Sequence, residues 1–281
     1  MKFSDSCARC MYDRQKNKTD NKEYLAEIKA VLDNRTQDVT SPEIVIEFNR
    51  IYEKYFGELP DYTAIKRKYN DLVLSMEADI RKEIETSKDP LATSIVMARI
   101  GNYIDFGALN KVDPDTFLEL FDDTVMRDDE SAVYESFCNQ CKTASSFLLL
   151  TDNCGEIVLD KLMLEQLKKR FPNLDITVMV RGGDVSNDAT MEDAMYVGID
   201  SVGRVITNGK KIAGTVYPLL SDEARDAVDG ADIIFSKGQA NYESFAGEGR
   251  HAFYTFLCKC DLFINRFNVP KLTGMFVEEQ E

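Results

Sequence analysis

The sequence predicts an α/β protein in which an N-terminal helical domain, residues 1–144, precedes residues 145–281, a mostly parallel sheet with helices on both faces. Three observations carry this prediction. Apolar residues recur at helical spacing up to about Thr143. From Ser145 onward, short apolar runs alternate with helical patterns, the signature of parallel strand–helix–strand units. The composition, 44% hydrophobic and 30% charged over 281 residues, is that of a globular chain able to bury a sizeable core.

In the first part, Leu25, Ile28 and Leu32 predict a helix over 20–35, with Asp20 available as N-cap. Ser41-Pro42-Glu43 opens the next helix, whose face is Ile44, Phe48, Ile51 and Tyr55, and Gly57 ends it. Ile65, Tyr69, Leu72, Met76 and Ile80 predict a longer helix over 61–86. Asp89-Pro90 starts another, which runs into the segment GNYIDFG, 101–107. Asp113-Pro114-Asp115 caps a short helix to Phe121, and a further helix over 131–143 carries Cys138 and Cys141.

In the second part, strands are expected at 147–151, 175–181, 203–207, 231–236 and 252–258, with a last edge strand at 272–277. Helices are expected at 155–170, 189–197, 221–229, 240–246 and 261–267. Neither an internal repeat nor a low-complexity linker interrupts the alternation.

A formal net charge of −15, from 49 acids against 34 bases, repels nucleic acid and anionic membrane surfaces, so neither is expected as a partner. The start MKFSDSCARCMYD has no apolar signal core, and no stretch approaches the roughly 20 apolar residues that span a bilayer. A cytoplasmic protein is expected. Seven cysteines in such a chain point to reduced thiols or metal ligands rather than a disulfide framework.

In an open parallel sheet, ligands sit beyond the carboxyl ends of the strands, and the unusual polar clusters fall there: Asp152-Asn153, 181–188, Asn208-Gly209 and Lys237-Gly238. Asp152 and Asp188 read as carboxylates for a hard divalent cation, helped by the amide oxygen of Asn153 or Asn187. The competing reading is that they cap the following helices. Lys237 is expected to extend its ammonium over the same rim, where it would face a phosphoryl group. Gly155 and, more weakly, Gly182-Gly183 would let backbone N–H groups approach an anion. The lone His251 reads as structural, and no nucleophile elbow, dinucleotide fingerprint or P-loop is present. Cys7-x-x-Cys10 and Cys138-x-x-Cys141 each have the spacing of half a zinc site, against a competing reading as core cysteines.

The segments TDNCGEIVLDKL, RGGDVSNDATMEDA and FSKGQANYESF, preceded by GNYIDFG, together resemble the damage-control phosphatase family, also labelled domain of unknown function 89. The N-terminal Cys-x-x-Cys resembles the archaeal and bacterial branch. The resemblance implies a helical domain followed by a Rossmann-like domain, and hydrolysis of phosphate monoesters of small metabolites with a divalent metal such as Mn, Co, Ni or Mg. It implies that Asp152, Asn153 and Asp188 bind the metal, that Lys237 contacts substrate phosphate, and that Glu156 and Asn187 lie close by. Asn102 and Asp105 match a motif that closes the site from the helical side; Asn241 and Glu243 read equally as a helix cap and a solvated face. Whether Asp152 is nucleophile or ligand stays open at this level. Two rival functions are an S-adenosylmethionine-dependent methyltransferase, disfavoured by the missing glycine-rich loop, and a non-enzymatic thiol or metal sensor built on the cysteine pairs.

Overall fold

The computed structural model describes residues 3–36, 38–105, 114–122 and 125–279; Phe106 and Gly107 of GNYIDFG and the expected cap Asp113 lie outside them. Among the described residues, the strands are β1 (Ser146–Leu150), β2 (Asp175–Val180), β3 (Arg204–Thr207), β4 (Ile233–Lys237), β5 (Ala252–Leu257) and β6 (Gly274–Glu279). They form one sheet in the order β3-β2-β1-β4-β5-β6, parallel except for β6, which runs antiparallel to β5 along the edge. The central β1 and β4 are apolar runs because both of their faces are covered.

The α-helices, in chain order, are α1 (Asp5–Lys16), α2 (Lys22–Asp33), α3 (Ser41–Phe56), α4 (Thr63–Thr86), α5 (Pro90–Gly101), α6 (Pro114–Glu119) and α7 (Ser131–Cys141), then α8 (Glu156–Arg170), α9 (Met191–Val197), α10 (Asp222–Asp229), α11 (Gln239–Phe245) and α12 (Asp261–Phe267). The strand and helix alternation expected after Ser145 is present throughout. In the first part the structure adds α1, which periodicity does not announce because the helix buries no residue completely; Ser4 caps it by accepting the Cys7 N–H at 3.1 Å. The cap of α2 is Asn21 rather than Asp20, its side-chain oxygen accepting from both Glu23 and Tyr24.

Packing crosses residue 145. One large core joins α4, α5 and α7 to β1, β2, β4 and α8, while a second fills the opposite face beneath α10, α11 and α12. The helix α8 is buried almost all round, sandwiched between the sheet and α4 and α5. Gly101 lets α5 approach it: a methyl there would meet the Glu156 Cα at 2.9 Å. Phe137 of α7 lies 5.2 to 6.3 Å, centroid to centroid, from Phe147, Phe235, Phe253 and Phe276, so α7 is pinned to four strands. Only α1 to α3 have a core of their own, made of Tyr24, Ile28, Leu32, Ile44, Phe48 and Ile51. The change of sequence texture falls at 144/145, whereas the packing boundary falls between Phe56 and Thr63. Among the described residues no helix is long and apolar enough to cross a membrane.

This boundary makes a prediction for fragments. Residues 145–281 alone leave the α4, α5 and α7 faces of the sheet and of α8 bare, and should show no cooperative thermal transition by circular dichroism. Residues 58–281 keep that core and should melt cooperatively.

Candidate active site

The strand order reverses between β1 and β4, and the ligand crevice of such a sheet lies at that switch point. Asp152 and Asn153 follow β1, Arg181 follows β2, and Lys237 ends β4. The loop after β2 folds back between them: Asn153 and Asp188 form an isolated antiparallel bridge, and Arg181 pairs with Thr190. The Ala189 N–H donates to the Asp152 carbonyl at 2.7 Å, and the Arg181 N–H donates to the Ala189 carbonyl at 2.9 Å. Main-chain pairing therefore brings Asp188 beside Asp152. Capping does not employ either acid, since α9 is capped by Thr190 in a reciprocal box with Asp193, and the N-cap of α8 is Gly155.

Each acid has fixed partners. Asp152 Oδ2 accepts from the amide nitrogens of Asn102 and Asn153, both at 2.9 Å, and Oδ1 accepts from Arg181 Nη2 at 3.4 Å. Arg181, 2% exposed, also donates through Nε to Asp188 Oδ2 at 2.7 Å, while Nη1 reaches the Gly214 carbonyl and Asn241 Oδ1. One guanidinium thus spaces the two carboxylates. The Asn153 nitrogen, shared between Asp152 and Glu156, turns the amide oxygen of that residue away from both. Asp105, Asp152, Asn153 and Asp188 line a single cavity of about 280 Å³. Gly238, at φ +82, lies so close beneath that an added methyl would overlap the Asp152 carboxylate.

Other expected residues lie below this floor. Lys237 is fully buried and does not extend over the rim; its ammonium donates to Glu156 Oε1 at 2.8 Å, Asp160 Oδ1 at 2.5 Å and the Ala98 carbonyl at 3.0 Å. The physical reason is α8, which presents Glu156 and Asp160 one turn apart, both buried and both in need of a counter-charge. Asn187 is buried and donates to the Ile104 carbonyl at 2.8 Å. Glu156, Asn187 and Lys237 are therefore outside the cavity lining. Asn102, at the C-cap of α5, donates to both Asp152 and Glu156 and accepts from Leu257 N–H, and Lys259 donates to its carbonyl and to Asp105.

At the turns expected to meet an anion, the N–H groups of Asn153, Cys154, Gly155 and Gly182 are already engaged. Asn153 N–H goes to Glu156, Cys154 N–H to the Asn187 carbonyl and Gly155 N–H to Asn70 Oδ1 at 2.6 Å. Gly182 N–H is likewise taken by Lys210 and Asn208. Arg181 and Lys259 are the site residues that sequence reasoning passed over. The signal for Arg181 was a cation placed directly after the apolar run VMV.

Among the described residues, five buried or half-buried carboxylates, Asp105, Asp152, Glu156, Asp160 and Asp188, meet three cations, Arg181, Lys237 and Lys259. The shortfall is visible in their protonation. Burial, reinforced by Asp188 and Glu156, holds Asp152 well above the carboxylate range. Burial also raises Asp188 to about 6 against the pull of Arg181, and Asp160 to about 7 against that of Lys237. Lys237 is held above the usual lysine value because Asp160 and Glu156 outweigh its loss of water. A divalent cation held by Asp152 and Asp188 would answer this deficit with oxygen donors, and Asn153 would join them only with its amide turned over. Among the described residues no three His, Cys, Asp or Glu side chains are grouped to hold a metal by themselves.

The cysteines separate. Cys7 and Cys10 line the cavity with Cys260, whereas Cys138 and Cys141 are buried in the core of α7, so the two pairs do not form one zinc site. Cys154 is buried, and loss of water pushes its thiol up to about 12, which leaves it a packing group. His251 lies 2.8 Å from Glu278 and outside the cavity lining.

Gly238→Ala should push the Asp152 carboxylate aside and weaken Mn²⁺ binding about tenfold or more, measured by calorimetry. Cys154→Ala should cost about 1 kcal/mol of stability in a denaturant melt and leave Mn²⁺ affinity unchanged.

The chain has wide similarity to known proteins. It is 29% identical over 275 residues, 93% of each chain, to a damage-control phosphatase of Archaeoglobus fulgidus. It is 28% identical over 221 residues to a damage-control phosphatase of Pyrococcus horikoshii, covering 78% of this chain and 74% of that protein. The crystal structure of a DUF89 family protein from Pyrococcus horikoshii superimposes with a TM-score of 0.74 over 98% of both chains, at 24% identity, which matches the fold. Residues 3–273 match the damage-control phosphatase ARMT1-like domain, so the acids at the β1/β4 switch point belong to a member of that family.

Proposed function

We propose that this chain is a divalent-metal-dependent phosphatase that hydrolyses monoesters of small phosphorylated metabolites in the manner of a damage-control enzyme. The observation that carries the reading is the spaced pair Asp152 and Asp188, with Asn153 in the lining of the same cavity, above a floor short of positive charge. Membership of the family supports the phosphatase activity.

When bound at Asp152, Asn153 and Asp188, a cation such as Mn, Co, Ni or Mg would supply Lewis-acid polarisation and neutralise phosphoryl charge. Arg181 keeps the two carboxylates apart and oriented. Asp105 reaches the cavity from the helical side, where it can accept the proton of an attacking water. Lys237 acts on phosphate indirectly: it holds Glu156, which in turn fixes the amides of Asn102 and Asn153. Neither the separated cysteine pairs nor the glycine-poor first loop supports the sensor or methyltransferase alternatives.

Metal-stripped protein resupplied with Mn, Co, Ni or Mg should release phosphate from a broad phosphoester panel, and Asp188→Ala should lose about 100-fold or more in kcat/KM. Folded, metal-loaded protein that releases none would overturn the reading. Lys237→Ala should destabilise the fold by about 3–5 kcal/mol, because it leaves two buried acids without their cation.

A further inference from the structure

With its phosphoryl group at the acid floor, a substrate turns its leaving group towards the rest of the cavity wall, which α1, α3, α11 and α12 supply. The alcohol released from a phosphate monoester leaves slowly unless a proton reaches its oxygen. Among the polar side chains of that wall are Arg14, Gln239, Glu243 and Asp261. A guanidinium does not give up its proton in a protein and an amide has none to give, so the carboxyls remain. Asp105 is ion-paired with Lys259 and serves the attacking water. Asp261 is exposed in the first turn of α12, whereas Glu243 is half-buried.

The helix α11 sets Glu243 in this place. Asn241, fully buried, anchors the helix to the strand ends: its amide nitrogen donates to the Thr151 carbonyl at 2.9 Å and the Lys237 carbonyl at 2.7 Å, and its oxygen accepts from Thr215 Oγ1 at 2.8 Å and from Arg181. Two residues on, about 200° round the helix, Glu243 faces away from that anchor and lines the cavity, where the Ser41 hydroxyl at the head of α3 is its hydrogen-bond partner. Loss of water raises its carboxyl above the usual range; the charge of Asp105 adds to this, while Ser41 and Arg14 oppose it. The group therefore keeps its proton to a higher pH than an ordinary glutamate.

We infer that Glu243 is the general acid of the reaction, its carboxyl delivering a proton to the oxygen of the departing alcohol. This rests on the phosphatase reading and adds a catalytic residue to the same site. The oxygen of water forms the new bond to phosphorus while the bond from phosphorus to the ester oxygen breaks. The ester oxygen takes the Glu243 proton, Asp105 takes the proton of the water, and exchange with solvent returns both carboxyls to their starting state, so no co-reactant is required.

The test uses esters that differ in their need for a proton, on the Mn-loaded full chain. Dinitrophenolate leaves unprotonated, whereas the alkoxide of glycerol does not. Glu243→Gln keeps the shape of the side chain without its acidic proton. It should lower kcat/KM for glycerol phosphate about 100-fold or more and change that for dinitrophenyl phosphate by less than about threefold. The melting temperature and Mn²⁺ affinity should match those of the wild type. A loss shared equally by the two esters assigns Glu243 to shaping the cavity and overturns the inference, as does no loss on either. A second measurement needs no variant: across substituted phenyl phosphates, the wild-type kcat/KM should vary little with the acidity of the leaving phenol. A steep wild-type dependence overturns the inference and leaves the phosphatase reading standing. Folded, metal-loaded wild type that releases phosphate from neither ester overturns the phosphatase reading, and the general acid with it.

Discussion

Burying carboxylates around one crevice is the constraint on which the rest of this structure depends. An ionised carboxylate taken out of water costs several kcal/mol unless it is paired and hydrogen-bonded, and here five acids approach one another at the ends of β1 and β4. Three cations are arranged to meet them: Arg181 spans Asp152 and Asp188, Lys237 serves Glu156 and Asp160, and Lys259 serves Asp105. Each comes from a different part of the chain, so the sheet, α5 and α8 must all be in register before the charge is tolerable. The charge still lacking shows in carboxyl groups held above their usual range.

The same constraint explains why the helical part of the chain cannot be a separate lid. Asn102 at the end of α5 touches Asp152, Glu156, Leu257 and Lys259 at once, and Gly101 permits the close contact with α8 that puts it there. Asp105, three residues on, completes the cavity lining. The helices α1 and α3 contribute walls in which the Arg14 cation stands among apolar, hydroxyl and thiol side chains. The cavity is thus enclosed by strand ends on one side and, on the other, by a layer of helices with its own small core.

Much of this was legible in the sequence because its signals are local. Period-two and period-3.6 patterns after Ser145 located every strand and helix of the sheet to within a few residues, and the rule that ligands gather at carboxyl ends singled out Asp152, Asn153 and Asp188. The less regular features were not local. Helix α1 buries nothing completely, so it has no apolar stripe to read. Arg181 looked like part of a polar turn, and spacing left the cysteine pairs readable either as halves of one site or as core thiols until the fold set one in the cavity wall and the other in a core.

The sequence by itself therefore determined the α/β class, the order of the elements and the acids at the strand ends, since these follow from nearest-neighbour backbone preferences and hydrophobic periodicity. Tertiary structure alone decided which way the long cations point. The ammonium of Lys237 turns down to Glu156 and Asp160 rather than out over the rim, and the guanidinium of Arg181 turns across two carboxylates. A buried charge goes where its counter-charge is. That partner lies 81 residues away in the chain for the Lys237–Glu156 pair, so the direction is fixed by the closing of the fold and not by any stretch of the sequence.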